Sequence, residues 1–433
     1  MSEKKYSSLE ENYRDVIRQT IDECILCEEC IRNCITFPLT PIKDIAPAEI
    51  MQKMIDLLKD GVLSEEAYTK AYTCAGCGYC SDSCPQGIDP LLIHEAVKIE
   101  LVKQGEAPPE VMNFVVPGQR MNLYEILSAL QIKPSEARWL RRVPPQPEKT
   151  ENVVFLGCSP LALPDKIFAF LDVLERMGVN FITLAGGELC CGTSFCPAAG
   201  KVAESEEKAR ELVASMKLFS PERVILVCTG CYRQFTEFFP SFLDLDFEVQ
   251  FYTQFLNENL DKINFTKTLG KTATMHESCM SQRTEVVGSA RELLEAVPGL
   301  KLLENENIKA QNLCCGGIAN MTNPLIGQQL GQNLAEEIIK TGADYISNTC
   351  PFCGLAFYPY VRQSSCDVKD VATLINEAMG GKEYEDKLKK YWSCKSIDEL
   401  IEKSRENFEA NGYTEEEMRQ ILPLIFSLSD GGS

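Results

Sequence analysis

The chain has 433 residues, 45% of them hydrophobic, enough for two or three domains with cores of their own. A formal net charge of -20 excludes a nucleic-acid reader, which needs clustered Lys and Arg, and no apolar run approaches the roughly 18 residues of a membrane helix. The 21 cysteines fall in close groups with an odd total, and the chain opens MSEKKYSSLEENY without an apolar leader; both features point to cytoplasmic metal ligation rather than a disulfide-stapled secreted fold.

In chain order, Cys24, Cys27, Cys30 and Cys34 form a C-x2-C-x2-C-x3-C run, and Cys74, Cys77, Cys80 and Cys84 form a second. This is the spacing of a chain that holds two [4Fe-4S] clusters, in which the fourth cysteine of each run commonly crosses to the other cluster. Crossing groups Cys84 with Cys24, Cys27 and Cys30, and Cys34 with Cys74, Cys77 and Cys80. Structural zinc is the competing reading, although zinc sites usually separate two C-x2-C pairs by a longer loop. Between the runs, Ile50, Met54, Leu57 and Leu58 share one helical face, with Gly61 as the stop. After the second run, Asp89 and Pro90 read as N-cap and first position of a helix running toward Gly105. His94 on that helix is expected to pack or face solvent, because the cysteine set is already complete.

Residues 1–140 are therefore expected to be a helical ferredoxin-like domain with two cubane [4Fe-4S] clusters, followed by a Pro-rich linker over 141–150. The basic cluster Arg138-Trp139-Leu140-Arg141-Arg142 precedes Pro144, Pro145 and Pro147 and reads as a hinge, with docking of an acidic partner as the alternative. No G-x-G-x-x-G or P-loop motif occurs, so any flavin or nicotinamide belongs to another subunit.

From residue 151 one cysteine pattern appears twice. Cys158, Cys190, Cys191, Cys228 and Cys231 are followed, at a nearly constant offset, by Cys279, Cys314, Cys315, Cys350 and Cys353. Five thiolates exceed what a cubane or a zinc ion uses, which implies a larger centre in each copy; a vicinal disulfide would leave the recurrent C-x2-C pairs unexplained. Strands are expected at 153–156, 181–184 and 224–227, and again at 272–275 and 345–347, with helical periodicity over 325–339 and on the approach to Leu212. Both copies thus read as α/β units, 151–265 and 266–380, with ligands at strand ends. Gly192 and Gly316 are expected to let backbone approach the centres closely. Cys196, Cys366 and Cys394 are left over as buried free thiols.

These motifs, over about residues 15–380, resemble the D subunit of heterodisulfide reductase, equivalent to its C and B subunits fused in that order. The resemblance implies an α+β multidomain protein, a ferredoxin-like domain followed by two CCG domains, each CCG set holding a noncubane [4Fe-4S] centre. It also implies that a small disulfide is cleaved to two thiols between the two centres, each supplying one electron and taking one sulfur. A flavoprotein or membrane cytochrome would feed the ferredoxin-like module, and any membrane contact would come through that partner. The same scaffold resembles subunits of lactate, glycolate and glycerol-3-phosphate dehydrogenases and proteins associated with class II benzoyl-CoA reductase, so electron relay without substrate turnover is the second reading.

His276 precedes Cys279 by three residues, and Arg283 lies four beyond it. His276 is expected either to brace the cluster from outside or to act as an acid, and Arg283 to balance charge or form a salt bridge. The first copy has no matching histidine, so the two centres are not expected to be equivalent. Residues 381–433 form a helical extension whose apolar segment 421–426 either packs back as an arm or docks on another subunit.

Overall fold

A computed structural model describes residues 6–281, 284, 286–304, 313–362 and 364–426. Two four-stranded sheets, all parallel, lie behind a helical N-terminal module. The first sheet comprises β1 (Asn152–Gly157), β2 (Phe181–Ala185), β3 (Arg223–Leu226) and β4 (Glu248–Phe251), in the order β2-β1-β3-β4. The second repeats this order with β5 (Lys271–Met275), β6 (Leu300–Leu302), β7 (Tyr345–Asn348) and β8 (Asp367–Asp370), as β6-β5-β7-β8. Every residue of β1 is buried, as a central parallel strand covered on both faces requires. From β1 the chain crosses first to β2 on one side and then returns to β3 on the other. The crevice at such a reversal lies at the carboxyl ends of β1 and β3, and in the second sheet at those of β5 and β7.

The N-terminal helices begin and end where their caps dictate. Ser8 caps Leu9–Glu23 by accepting from the Glu11 amide, and Ser64 caps Glu65–Tyr72 through Ala67. Gly61 closes Pro47–Asp60 in the left-handed conformation, and Asp89 caps Pro90–Lys103 with Pro90 at its first position. Pro90–Lys103 is buried nearly all round because it joins two cores. Ile93, Val97 and Leu101 pack with Ile50, Met54 and Leu57 of the N-terminal module, whereas Ala96 and Ile99 belong to the large core of the two sheets.

Several segments are tied down more firmly than their sequence suggests. The basic cluster is not a hinge. Leu140 forms a parallel bridge with Leu184 of β2, and Arg138, Arg141 and Arg142 pair with Asp172, Glu125 and Glu188. The helix Leu123–Gln131 packs into the large core and reaches the chain after β1, Gln131 donating to the Ala162 carbonyl at 2.8 Å. The extension packs back on that helix. Tyr391 and Asn407 both donate to the Leu130 carbonyl, and Leu422 and Phe426 are fully buried. Cys196, Cys366 and Cys394 are buried. No helix among the described residues is long and apolar enough to cross a membrane.

Candidate metal centres

The crevices collect the repeated cysteines. Cys158 follows β1, Cys190 and Cys191 lie beyond β2, and Cys228 follows β3 and turns the chain into a helix that carries Cys231. In the second repeat Cys350 makes the same turn after β7, into the helix Pro351–Val361. The two turning residues have φ and ψ of -122° and 126° in Cys228 and of -122° and 124° in Cys350, so each C-x2-C pair is delivered by one local geometry used twice. The Sγ atoms of Cys191 and Cys231 lie 3.3 Å apart, and those of Cys315 and Cys353 3.1 Å. All cysteines are free, so the adjacent pairs are not vicinal disulfides.

Such crowded sulfurs cannot all behave as ordinary thiols. Hydrogen bonds donated by Cys279 and Cys315 hold Cys314 well below the usual thiol range, and one from Cys353 brings Cys350 down to about 6. Backbone amides point at sulfur as well. Gly192 donates to Cys190, Gly316 to Cys314 and Gly317 to Cys315, each at 3.4 Å. Buried sulfurs in contact, partly anionic and met by N–H donors form a donor set that fits an iron-sulfur centre.

The glycines play a different part from the one expected. Gly192 and Gly316 both have positive φ, but a Cβ on Gly316 would strike the Gly327 carbonyl oxygen at 2.0 Å, and one on Gly192 the Ser205 side chain at 2.4 Å. They permit the neighbouring helix, rather than the centre, to approach. Gly157, just before Cys158, comes nearer to sulfur: a Cβ there would lie 3.0 Å from Cys231 Sγ.

His276 is buried and lies with Cys315 and Cys353 in a group whose ligand atoms are all within 4.8 Å of one another. Burial brings its imidazole down to about 4, so it is neutral, and its Nδ1 has no hydrogen-bond partner among the described residues. Its ring meets Phe357 edge-on at 5.3 Å, and at the corresponding positions of the first repeat Phe155 meets Phe235 tilted by 51° at 6.2 Å. A polar ring replaces a phenyl at one position of otherwise matching frames, which makes the centres inequivalent. Arg283 lies outside the described residues.

The two N-terminal runs interleave. Burial pushes the Cys30 thiol up to about 12, and the sulfurs that add to this are Cys24, Cys27 and Cys84. Around Cys77, also pushed well up by burial, stand Cys314, Cys74 and Cys34. The fourth cysteine of each run therefore sits with the other run. Cys27 is exposed, marking its set as the outer one, whereas the inner set abuts the second repeat: Ala75 packs in a small core with Cys314, Ala319, Ile326 and Leu330.

Three residues near the centres carry no signal in the sequence. Tyr124, buried on the helix Leu123–Gln131, is pushed well up by burial and by the sulfurs of Cys158, Cys228, Cys190 and Cys350, which span both repeats. Its ring meets Phe352 edge-on at 6.0 Å. Thr229 and Ser278, each beside a cysteine of a different repeat, bring their hydroxyls within 3.5 Å, and Thr229 also helps hold Cys350 down. Spacing reveals ligands; it cannot reveal what a distant helix inserts between them.

Comparison with known proteins matches a 4Fe-4S dicluster domain to residues 20–88 and a cysteine-rich domain, CCG, to residues 153–236 and 273–358. The D subunit of dihydromethanophenazine:CoB–CoM heterodisulfide reductase from Methanosarcina barkeri is 29% identical, over 83% of this chain and 94% of its own length. The Methanosarcina mazei protein of the same name is also 29% identical, over 88% and 99%. The EtfAB:quinone oxidoreductase of Syntrophomonas wolfei is 24% identical over 78% of this chain and 50% of its own. Among solved structures, a hypothetical protein from Helicobacter pylori shares the fold, with a TM-score of 0.51 at 12% identity, covering 88% of this chain and 77% of that one.

Proposed function

Since the chain belongs to the family of heterodisulfide reductase D subunits and is an iron-sulfur oxidoreductase subunit, we propose that it reduces a small disulfide to two thiols between its two CCG centres. The observation that carries this reading is that the two five-cysteine sets abut, through Thr229 and Ser278 and around Tyr124. When bound, noncubane [4Fe-4S] centres would supply the two electrons of the disulfide couple one at a time and offer iron to each sulfur, and two cubanes would relay electrons to them.

The chain's own residues do the rest. The ten cysteines would hold the centres; the amides of Gly192, Gly316 and Gly317 stabilise thiolate charge; and Tyr124, kept protonated by its surroundings, offers its hydroxyl as a hydrogen-bond donor to a product thiolate. His276 remains neutral and steadies the second centre by a hydrogen bond to sulfur. Cys158 and Cys279 are the partly exposed members of their sets. Cys24, Cys27, Cys30 and Cys84, with Cys27 exposed, would hold the outer cubane where electrons could be received, and Cys34, Cys74, Cys77 and Cys80 would hold the inner one, against the second repeat. The donor is a flavoprotein or membrane cytochrome subunit.

The test is anaerobic incubation with a chemical reductant and an asymmetric disulfide, beginning with the CoB–CoM heterodisulfide named for the Methanosarcina relatives. Release of both thiols, with a thiol-dependent change in the EPR spectrum of the half-reduced protein, is the expected result. No such change across several disulfides leaves the relay reading, which draws support from the Syntrophomonas relative and from the burial of eight of the ten repeat cysteines.

A further inference from the structure

We propose that Lys70 sets the inner cubane at the higher potential of the N-terminal pair, so that an electron arriving at the outer cubane runs downhill toward the second CCG centre. The inference rests on the cluster assignment above. Lys70, on the helix Glu65–Tyr72, has no solvent exposure at all. Its ammonium lies 3.3 Å from Cys34 Sγ and 2.9 Å from His94 Nε2.

The histidine supplies no countercharge. His94 Nδ1 sits 2.5 Å from the Pro90 carbonyl, which can only accept, so Nδ1 carries the hydrogen and Nε2 offers a lone pair to the ammonium. Burial holds the ring well below its usual range, in the neutral form. His94 thus anchors Lys70 without altering the local charge.

Carboxylates do not supply it either. Among the described residues no Asp or Glu pairs with Lys70. The nearby Glu95 is engaged by Arg233 at 2.8 Å and by the Tyr13 hydroxyl at 2.6 Å, and Lys98 donates to the Pro197 carbonyl. A buried ammonium without a countercharge is too costly to persist. The anions that stabilise Lys70 are the sulfurs of Cys34, Cys74 and Cys80, three members of one set.

A fixed positive charge, with a hydrogen bond to a ligating sulfur, stabilises the more negative reduced state of a cluster and raises its potential. Among the described residues, no lysine or arginine bonds a sulfur of Cys24, Cys27, Cys30 or Cys84. The field of Lys70 reaches Cys30, but only Cys34 receives its hydrogen bond, so the two cubanes are tuned unequally.

Redox titration of the anaerobically purified full chain, followed by EPR, tests the assignment. Lys70→Met should lower the reduction equilibrium constant of the inner cubane at least tenfold, 59 mV for one electron, and that of the outer cubane by less. Lys70→Arg keeps the charge and should stay near wild type. The proposal is overturned if Lys70→Met leaves the inner potential in place, if both cubanes shift equally, or if Lys70→Arg shifts as far as Lys70→Met. Should Lys70→Met shed the inner cluster, Lys70→Gln keeps a donor without charge, and an unchanged potential there overturns it equally. A wild-type chain with fewer than two cubane signals fails the cluster assignment itself and removes the basis of the proposal.

Discussion

Replacing Gly316 by alanine puts a single methyl group where the fold has least room for it. Gly316 has a φ of +73°, and an L side chain in that region costs about 1–2 kcal/mol. The added Cβ would also stand 2.0 Å from the Gly327 carbonyl oxygen and 2.8 Å from its carbon. These atoms are helix backbone, in Pro324–Lys340, and cannot rotate aside. Relieving the overlap by shifting that helix costs roughly a further 1–3 kcal/mol. The total, about 2–5 kcal/mol, falls on the loop that carries Cys314 and Cys315. Melting of the second repeat should drop by about 2–4 °C per kcal/mol, and its iron should be lost while the N-terminal clusters and first repeat remain loaded. Differential scanning calorimetry with iron and sulfide analysis reads both effects. Gly288→Ala is the control: it lies in the helix Val286–Ala296, no atom is within 4 Å of its Cβ site, and it should gain about 0.5–1 kcal/mol. A Gly316→Ala chain with full iron and wild-type melting would refute the argument.

Tyr124→Phe keeps the buried ring but removes its hydrogen-bond donor, so single-turnover thiol release should slow by about 10² with cluster content unchanged; equal rates would relieve Tyr124 of any role toward the product thiolate. Asp370 is raised from 3.8 to about 6 by burial, so its stabilising contribution is complete below pH 3.8 and is lost as pH rises through 6. Asp370→Asn keeps the cap on Ala372 and the Tyr252 contact, and should make the protein up to about 3 kcal/mol more stable at pH 8, with little gain near pH 4, in parallel denaturant titrations. Arg233 and Glu95 form a buried pair at 2.8 Å between the first repeat and the helix Pro90–Lys103. Arg233→Met should cost about 3–5 kcal/mol in chemical denaturation, and adding Glu95→Met should recover most of it.

Cysteine spacing made the metal chemistry and the duplication legible before any coordinates, because ligands to one centre must return at fixed intervals along strand ends. The central strands β1, β3, β5 and β7 were equally legible, β1 and β3 as short apolar runs and β5 and β7 by their place before the repeated cysteines. The edge strands β4, β6 and β8 were not, since Glu248–Phe251, Leu300–Leu302 and Asp367–Asp370 are only three or four residues long and each carries charge. Arg138 to Arg142 read as a hinge because a string of charges shows no partners in one dimension; folding supplies Asp172, Glu125 and Glu188. The same limit hid Lys70, an ordinary lysine in EEAYTKAY until its helix is buried against Cys34, and Tyr124, which acquires its place only when a helix from before the first sheet enters between the repeats. Sequence determined which atoms can bind metal, because that capacity belongs to the side chain itself. Tertiary structure alone decided which set lies beside which and what charge or hydrogen-bond donor stands between them, because those depend on distances across segments far apart in the chain.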